Sequence, residues 1–245
     1  MHKHASNPPQ TPSVCGNHTI CYHCEILHER CRERENKDKA VATDIPDIVI
    51  GRLPIYLREL TRLAEEGEQT TTSSHELGQR LGISSAQIRK DLSHFGEFGK
   101  QGTGYHIGYL VEQLSDILRL SSEWDVAVVG AGFLGHALAN FNGFLDRGFR
   151  IACIFDNDPR KVGETMGGLI VLPDSDLEKV IKRKQIKVAI LAIPPHVAQQ
   201  MTDRLVKAGV KALLSYAPIH LTVPEGVQVS YSDPVIQLQR MTYYL

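Results

Sequence analysis

Long apolar runs are missing from this chain. No stretch of about 18 uninterrupted apolar residues occurs, so no bilayer-spanning helix and no membrane partner is expected. The start, MHKHASNPPQ, lacks an apolar h-region, which excludes a Sec signal and makes the cytoplasm the expected compartment. Charge of one sign is also missing: 27 Lys and Arg stand against 28 Asp and Glu, a formal net charge of -1. Bulk attraction to nucleic acid is thereby excluded, and any DNA contact has to come from a local basic surface. Cysteine is scarce beyond residue 31, where only Cys153 remains of the five. It sits inside an apolar run and reads as a small core residue rather than part of a disulfide framework.

What is present suffices for two cores, since 245 residues are 42% hydrophobic and two domains of ordinary size fit that length. Residues 1–44 form a polar, Cys/His-rich extension without sustained periodicity, and a folded region begins at Ile45. In the extension Cys15, Cys21, Cys24 and Cys31 are interleaved with His18, His23 and His28. Four thiolates, or three with one imidazole, can close a tetrahedral Zn²⁺ site, and Cys21-x2-Cys24 has the short spacing such sites use. The outer spacings are irregular, so a thiol redox switch and an unstructured tail are alternatives to zinc.

From Pro46, DIVIGRLPIYLRELTRLAEEG places Ile48, Leu53, Ile55, Leu57, Leu60 and Leu63 at helical spacing, with Gly67 as a stop. A short helix follows, with Ser73 or Ser74 as N-cap, Leu77 and Leu81 on one face, and Gly82 at its end. Ser84 caps a second short helix in which Ile88, Leu92 and Phe95 form the apolar stripe and Gln87, Arg89, Lys90, Ser93 and His94 lie off it. Two short helices around a glycine turn fit a helix-turn-helix, and fit an ordinary αα-hairpin as well. The glycines of GEFGKQGTGYHIG, with Tyr105 and Ile107 alternating as in a strand, predict a β-hairpin wing that adds a second DNA contact. Candidate DNA-contacting residues are therefore Ser85, Gln87, Arg89, Lys90 and Ser93 on the helix and Lys100, Gln101, Thr103 and Tyr105 on the wing. A helix carrying Leu110, Leu114, Ile117 and Leu118 closes the domain, 45–122.

The second domain, 123–229, opens with an apolar strand, Val126 to Val129, that runs into Gly130, Ala131, Gly132, Phe133, Leu134 and Gly135 with a helix behind them. This is the G-x-G-x-x-G arrangement in its strand-turn-helix context. Gly130 permits the tight turn, Gly132 lets backbone approach a pyrophosphate, Gly135 lets helix pack on strand, and the helix N-terminus favours phosphate. A second apolar strand, IACIF, ends at Asp156, 21 residues beyond Gly135. A carboxylate there accepts from the ribose 2′-hydroxyl and repels a 2′-phosphate, so NAD(H) is expected over NADP(H); the alternative is a solvated turn before Pro159. KVAILAIPP, HVAQQMTDRLVKAGV and KALLSYAP continue the strand and helix alternation of a doubly wound parallel sheet. Ala192, Ile193, Pro194, Ser215, Tyr216, Ala217 and Pro218 at the strand ends should border the nicotinamide half.

Over nearly all of the chain after Ile45, the stretches LPIYLREL, QIRKDLSHFGEFGKQGTGY, VVGAGFLGHALANF, FDNDPRKVG and YSDPVIQLQRMTYYL resemble the Rex family of redox-sensing transcriptional repressors. The resemblance implies an α/β chain: an N-terminal winged helix-turn-helix domain, then a Rossmann domain, then a C-terminal helix (230–245) swapped across a homodimer. It implies that NADH weakens operator binding while NAD⁺ permits it. It places DNA reading on Arg89, Lys90 and the wing from Lys100 to Tyr105, and cofactor contacts on Gly130, Gly132, Gly135, Asp156, Lys161 and the loops after Leu191 and Leu214. Arg58 and Asp233 match positions suited to a charged contact between domains, Asp233 also bordering the cofactor. Phe141 stands at that contact where some relatives have tyrosine. The rival class is an NAD-dependent oxidoreductase, for which the segment after the last strand offers Asp233 as its sole carboxylate and no His or Lys.

Overall fold

The computed structural model describes residues 45–100 and 103–245. The chain divides into two compact units: residues 45–59 with Thr71–Tyr105, and Leu60–Thr70 with His106–Leu245. Among the described residues no helix is long and apolar enough to cross a membrane.

The helix expected from Pro46 is two helices, α1 (Asp47–Ile50) and α2 (Leu53–Glu66). Pro54 has no N–H to donate to the Ile50 carbonyl, so the ladder stops and restarts with proline in its first turn. The restart changes the buried face: Val49, Leu53, Tyr56, Leu60 and Leu63 are buried, whereas Ile48 and Ile55 are exposed. In the first unit, Ser73 caps α3 (Ser74–Leu81) by accepting from the Glu76 N–H at 3.1 Å, and Gly82 closes it in the left-handed region. Ser84 accepts from the Gln87 N–H at 3.2 Å and starts α4 (Ser85–Ser93), whose Ile88 and Leu92 are buried. A small sheet follows in the order β1-β3-β2, from β1 (Thr71–Thr72), β2 (Gly99–Lys100) and β3 (Gly104–His106). β2 and β3 form the expected hairpin, with Gly99 opposite Tyr105. Ile107, expected to continue that strand, instead opens α5 (Ile107–Ile117), because the His106 ring accepts from the Tyr109 N–H at 3.3 Å and caps the helix.

The second unit is built on seven strands in the order β10-β9-β8-β4-β5-β7-β6. They are β4 (Trp124–Val129), β5 (Phe149–Asp156), β6 (Thr165–Met166), β7 (Leu169–Pro173), β8 (Val188–Leu191), β9 (Ala212–Ser215) and β10 (Gln228–Tyr231). All pairings are parallel except β6 with β7. Alternation along β4 sends Ala127 and Val129 to one face, against α7 (Leu177–Lys184) and α8 (Pro195–Ala208), and Val126 and Val128 to the other, where Leu138 of α6 (Phe133–Ala139) packs. The sheet is covered on both faces, as the run of apolar strands predicts. Cys153 is buried in β5, and burial pushes its thiol up to about 12. β10 runs to Tyr231, past the expected edge at 229, and the chain ends in α9 (Pro234–Thr242).

Candidate nucleic-acid interface and dinucleotide crevice

The recognition-type helix α4 is held by a buried charge. Asp91 is fully buried and accepts from the Arg52 guanidinium, from the Tyr56 hydroxyl at 2.6 Å and from the Gln87 side-chain amide at 2.6 Å. Burial alone would raise the Asp91 carboxyl; the hydrogen bonds from Arg52, Tyr56 and Gln87 outweigh it and hold the group below its ordinary range. Burial, then the bond to Asp91, pushes the Tyr56 hydroxyl up. Pro54 therefore has a structural consequence: the break at Gly51–Arg52 presents Arg52 to α4.

Of the candidate DNA contacts on α4, Arg89 and Lys90 are exposed. One Arg89 guanidinium nitrogen donates to the Ser74 hydroxyl of α3 at 2.9 Å, which preorients it on the helix-turn-helix surface. Ser93 is exposed and donates to the Lys90 carbonyl, while Ser85 is half-buried at the helix start. Gln87 is turned toward Asp91 rather than free at the surface. On the hairpin, Tyr105 is half-buried; burial raises its hydroxyl and the nearby Arg89 charge opposes that rise. Thr103 is exposed, and Lys100 lies on β2. Gln101 lies outside the described residues, as do Cys15, Cys21, Cys24 and Cys31, on which the zinc expectation falls. Arg52, Tyr56 and Asp91 lie outside the residues that the sequence patterns mark, and the available signal is that Asp91 is the one acid of α4, directly beside the apolar Leu92.

In the sheet, β7-β5-β4-β8-β9-β10 is the strand order whose direction reverses between β4 and β8, and ligands bind outside the carboxyl ends at such a switch point. The loops there are stitched together: Gly130 N–H donates to the Phe155 carbonyl, Ala192 N–H to Val129 at 2.8 Å, and Tyr216 N–H to Leu191 at 3.0 Å. Gly130 has φ +103, and a Cβ on it would lie 2.3 Å from the Ala192 carbonyl oxygen; one on Gly135 would lie 1.9 Å from that of Gly130. A Cβ on Gly132 would meet nothing within 4 Å. The first two positions thus need glycine for chain packing, and the third leaves open space in front of the loop for a phosphate group.

Asp156 closes this crevice at the end of β5. It is buried, and its carboxylate accepts from the Ala131 N–H at 2.7 Å and the Asp158 N–H at 2.8 Å, with the Lys161 ammonium 3.3 Å away. A carboxylate has about four lone-pair sites, and three are taken by these donors, so accepting capacity remains for one ribose hydroxyl, which fits a dinucleotide. Phe133 is fully exposed and Leu134 half-exposed at the first turn of α6. Ala192 and Ile193 are half-buried, Pro194 precedes α8 without a side-chain capping bond, and Pro218 is exposed. Ser215 is buried and accepts from the buried Ala217 N–H at 3.2 Å, beside half-buried Tyr216. Asp233 stands elsewhere: it caps α9 by accepting from the Val235 N–H at 2.8 Å, beyond β10, with β8 and β9 between that strand and β4. Phe141 is half-exposed and stacks edge-on with Phe144 at 5.4 Å, and Arg58 is exposed on α2.

A family model described as "CoA binding domain" matches residues 121–219, and one described as "Putative DNA-binding protein N-terminus" matches residues 44–93. A redox-sensing transcriptional repressor Rex of Roseiflexus sp. (strain RS-1) is 53% identical over 200 residues, 82% of this chain and 90% of the relative. That of Brevibacillus brevis is 47% identical over 201 residues, 82% of this chain and 97% of the relative. Among solved structures, RSP in complex with β-NAD⁺ and operator DNA matches with a TM-score of 0.78 at 38% identity, covering 82% of this chain and 93% of that one. RSP in complex with β-NADH matches at 0.75 and 36% identity, covering 82% and 94%.

Proposed function

Because this chain belongs to the Rex family of redox-sensing transcriptional repressors, we propose that it binds operator DNA through α4 and the β2–β3 hairpin and lets go when NADH fills the crevice of its Rossmann sheet. The observation that carries the cofactor half is Asp156: a buried carboxylate at the carboxyl end of β5, joined to the glycine loop through the Ala131 N–H, with about one accepting site left. It accepts the ribose 2′-hydroxyl and repels a 2′-phosphate, which selects NAD(H). Lys161 steadies the carboxylate. The relative RSP, solved with β-NAD⁺ and operator DNA together and also with β-NADH, supports a crevice that takes both redox forms and NAD⁺ as compatible with the DNA-bound state; NADH as antagonist is what the name redox-sensing repressor leads us to propose. When bound, the cofactor reports its redox state by which form occupies the site, so sensing asks only for differential affinity.

Transmission calls for a second copy. α9 presents Val235, Ile236, Leu238 and Met241, each more than half exposed, a face too apolar to be left to water. It docks across a homodimer in this reading, with Asp233 at its start and Arg58 and Phe141 as interdomain contacts. The test is a titration of NADH at fixed NAD⁺ against a labelled operator. Loss of operator binding as NADH rises is the expected result; affinity indifferent to NADH overturns the reading.

A further inference from the structure

The amino ends of β8 and β9 carry a concentration of cations for which the cofactor crevice has no use. Lys182, Arg183 and Lys184 form the last turn of α7, Lys207 lies in the last turn of α8, and Lys187 and Lys211 each immediately precede a strand. The two strands are parallel neighbours, and the Lys211 N–H donates to the Lys187 carbonyl at 2.8 Å, so the segments lie side by side. All six except half-buried Lys187 are exposed. Among the described residues none of the six pairs with a carboxylate. Acids on flanking elements turn first to other partners and offset only part of this charge: Glu178 and Asp174 share Arg204 at 2.7 and 3.2 Å, Asp125 and Glu123 share Arg150 at 2.6 and 3.6 Å, Asp203 accepts from the neutral Gln199 amide, and the Lys207 charge acts on Glu178 from farther off.

Helix termini account for only part of this charge. Two helix C-termini together present about one elementary negative charge, against the six cations gathered here. A near-neutral chain that places them on one edge creates a local field its net charge of -1 conceals.

We propose that this edge of the sheet is a second DNA-binding surface, one that takes the phosphate backbone of a duplex without reading sequence. Surfaces for single strands interleave cations with aromatic side chains on which bases stack, and residues 177–187 and 205–211 contain no aromatic residue. Ammonium groups without stacking platforms match a duplex backbone. The patch lies at the amino ends of the strands and the crevice at their carboxyl ends, so each works without occupying the other. The inference rests on the reading of the chain as a DNA-binding repressor, since a chain held on operator by α4 keeps this surface at high local DNA concentration.

The experiment uses the full chain and fluorescence anisotropy on an operator duplex and on a non-operator duplex. Arg89→Ala/Lys90→Ala removes the α4 contacts; Lys182→Gln/Arg183→Gln/Lys184→Gln neutralises half the patch. The α4 variant should lose preference for operator yet keep a salt-sensitive affinity for both duplexes, and adding the patch substitutions should weaken that remainder and flatten its salt slope. In the otherwise unchanged chain, the patch substitutions should shrink the loss of affinity between about 50 and 200 mM salt by about 40-fold, three phosphate contacts at about 3.5-fold each. NADH affinity stays parental throughout, which shows the sheet intact. Unchanged duplex affinity and salt slope after the patch substitutions, in both backgrounds, overturns the proposal. Failure of the unchanged chain to prefer its operator would count against the repressor reading instead, while patch-dependent duplex binding stayed measurable.

Discussion

At Asp91 a full negative charge is cut off from solvent, with Arg52, Tyr56 and Gln87 all donating to it. Truncation to alanine leaves the Arg52 guanidinium without its partner, which costs about 3 kcal/mol, the low end for a buried pair because Arg52 keeps 20% of its exposure. Thermal or urea unfolding reads this directly. The pH dependence has a definite sign: the folded pKa lies below the ordinary 3.8, so the stabilisation is whole above that value and disappears as pH falls through the lowered one. The stability gap between the unchanged chain and Asp91→Asn should thus be constant near neutrality and close in acid. Arg89→Ala should weaken operator binding by about 1–3 kcal/mol with NADH affinity unchanged, because a base-edge contact is of that size; normal operator affinity would remove Arg89 from the interface. Asp156→Ala should weaken NADH and relax discrimination against NADPH, read by titrating both. The glycine triplet and Asp156 were legible because a linear spacing encodes them. The Asp91 cluster was not, since Arg52 and Tyr56 stand 39 and 35 positions away and only Gln87, one helical turn before it, is local.

Elements that follow one period were readable, and those broken by a single residue were not. α3 and α8 appear where caps and apolar stripes place them, with Ser73 and Gly209 at their ends, while α4 starts at Ser84 as expected but stops at Ser93, leaving half-buried Phe95 of the expected stripe beyond it. The α1–α2 break was hidden because apolar residues continue through it, and only the absent N–H of Pro54 decides. β6, β7 and α7 lack such marks: β6 is two residues long, β7 meets it at a two-glycine turn, and α7 has no side-chain cap and ends at Gln185 rather than at glycine. α9 forms within the expected C-terminal segment, and none of its residues is buried. If it docks on a second copy, Leu238→Arg should convert the protein to monomer in sedimentation velocity while leaving the Rossmann sheet folded. An unchanged dimer would place the interface elsewhere. Gly130→Ala is a test at the same scale: with φ +103 and a backbone oxygen 2.3 Å from the new Cβ, it should abolish NADH binding by displacing the loop between β4 and β8.

For the molecule as a whole, a ligand moves a two-state equilibrium only by the difference in its affinity for the two states. A repressor released by NADH must therefore bind NADH more weakly when it holds operator, and by linkage the factor is the same in both directions. The Asp156 crevice and the α4 surface belong to separate units, so neither site alone accounts for the coupling. The most direct test is calorimetric: NADH affinity measured with and without saturating operator, beside operator affinity measured with and without saturating NADH. Operator should weaken NADH by the same factor, on the order of 5–150-fold for ordinary allosteric coupling, by which NADH weakens operator. Equal NADH affinity in the presence and absence of operator would contradict the account.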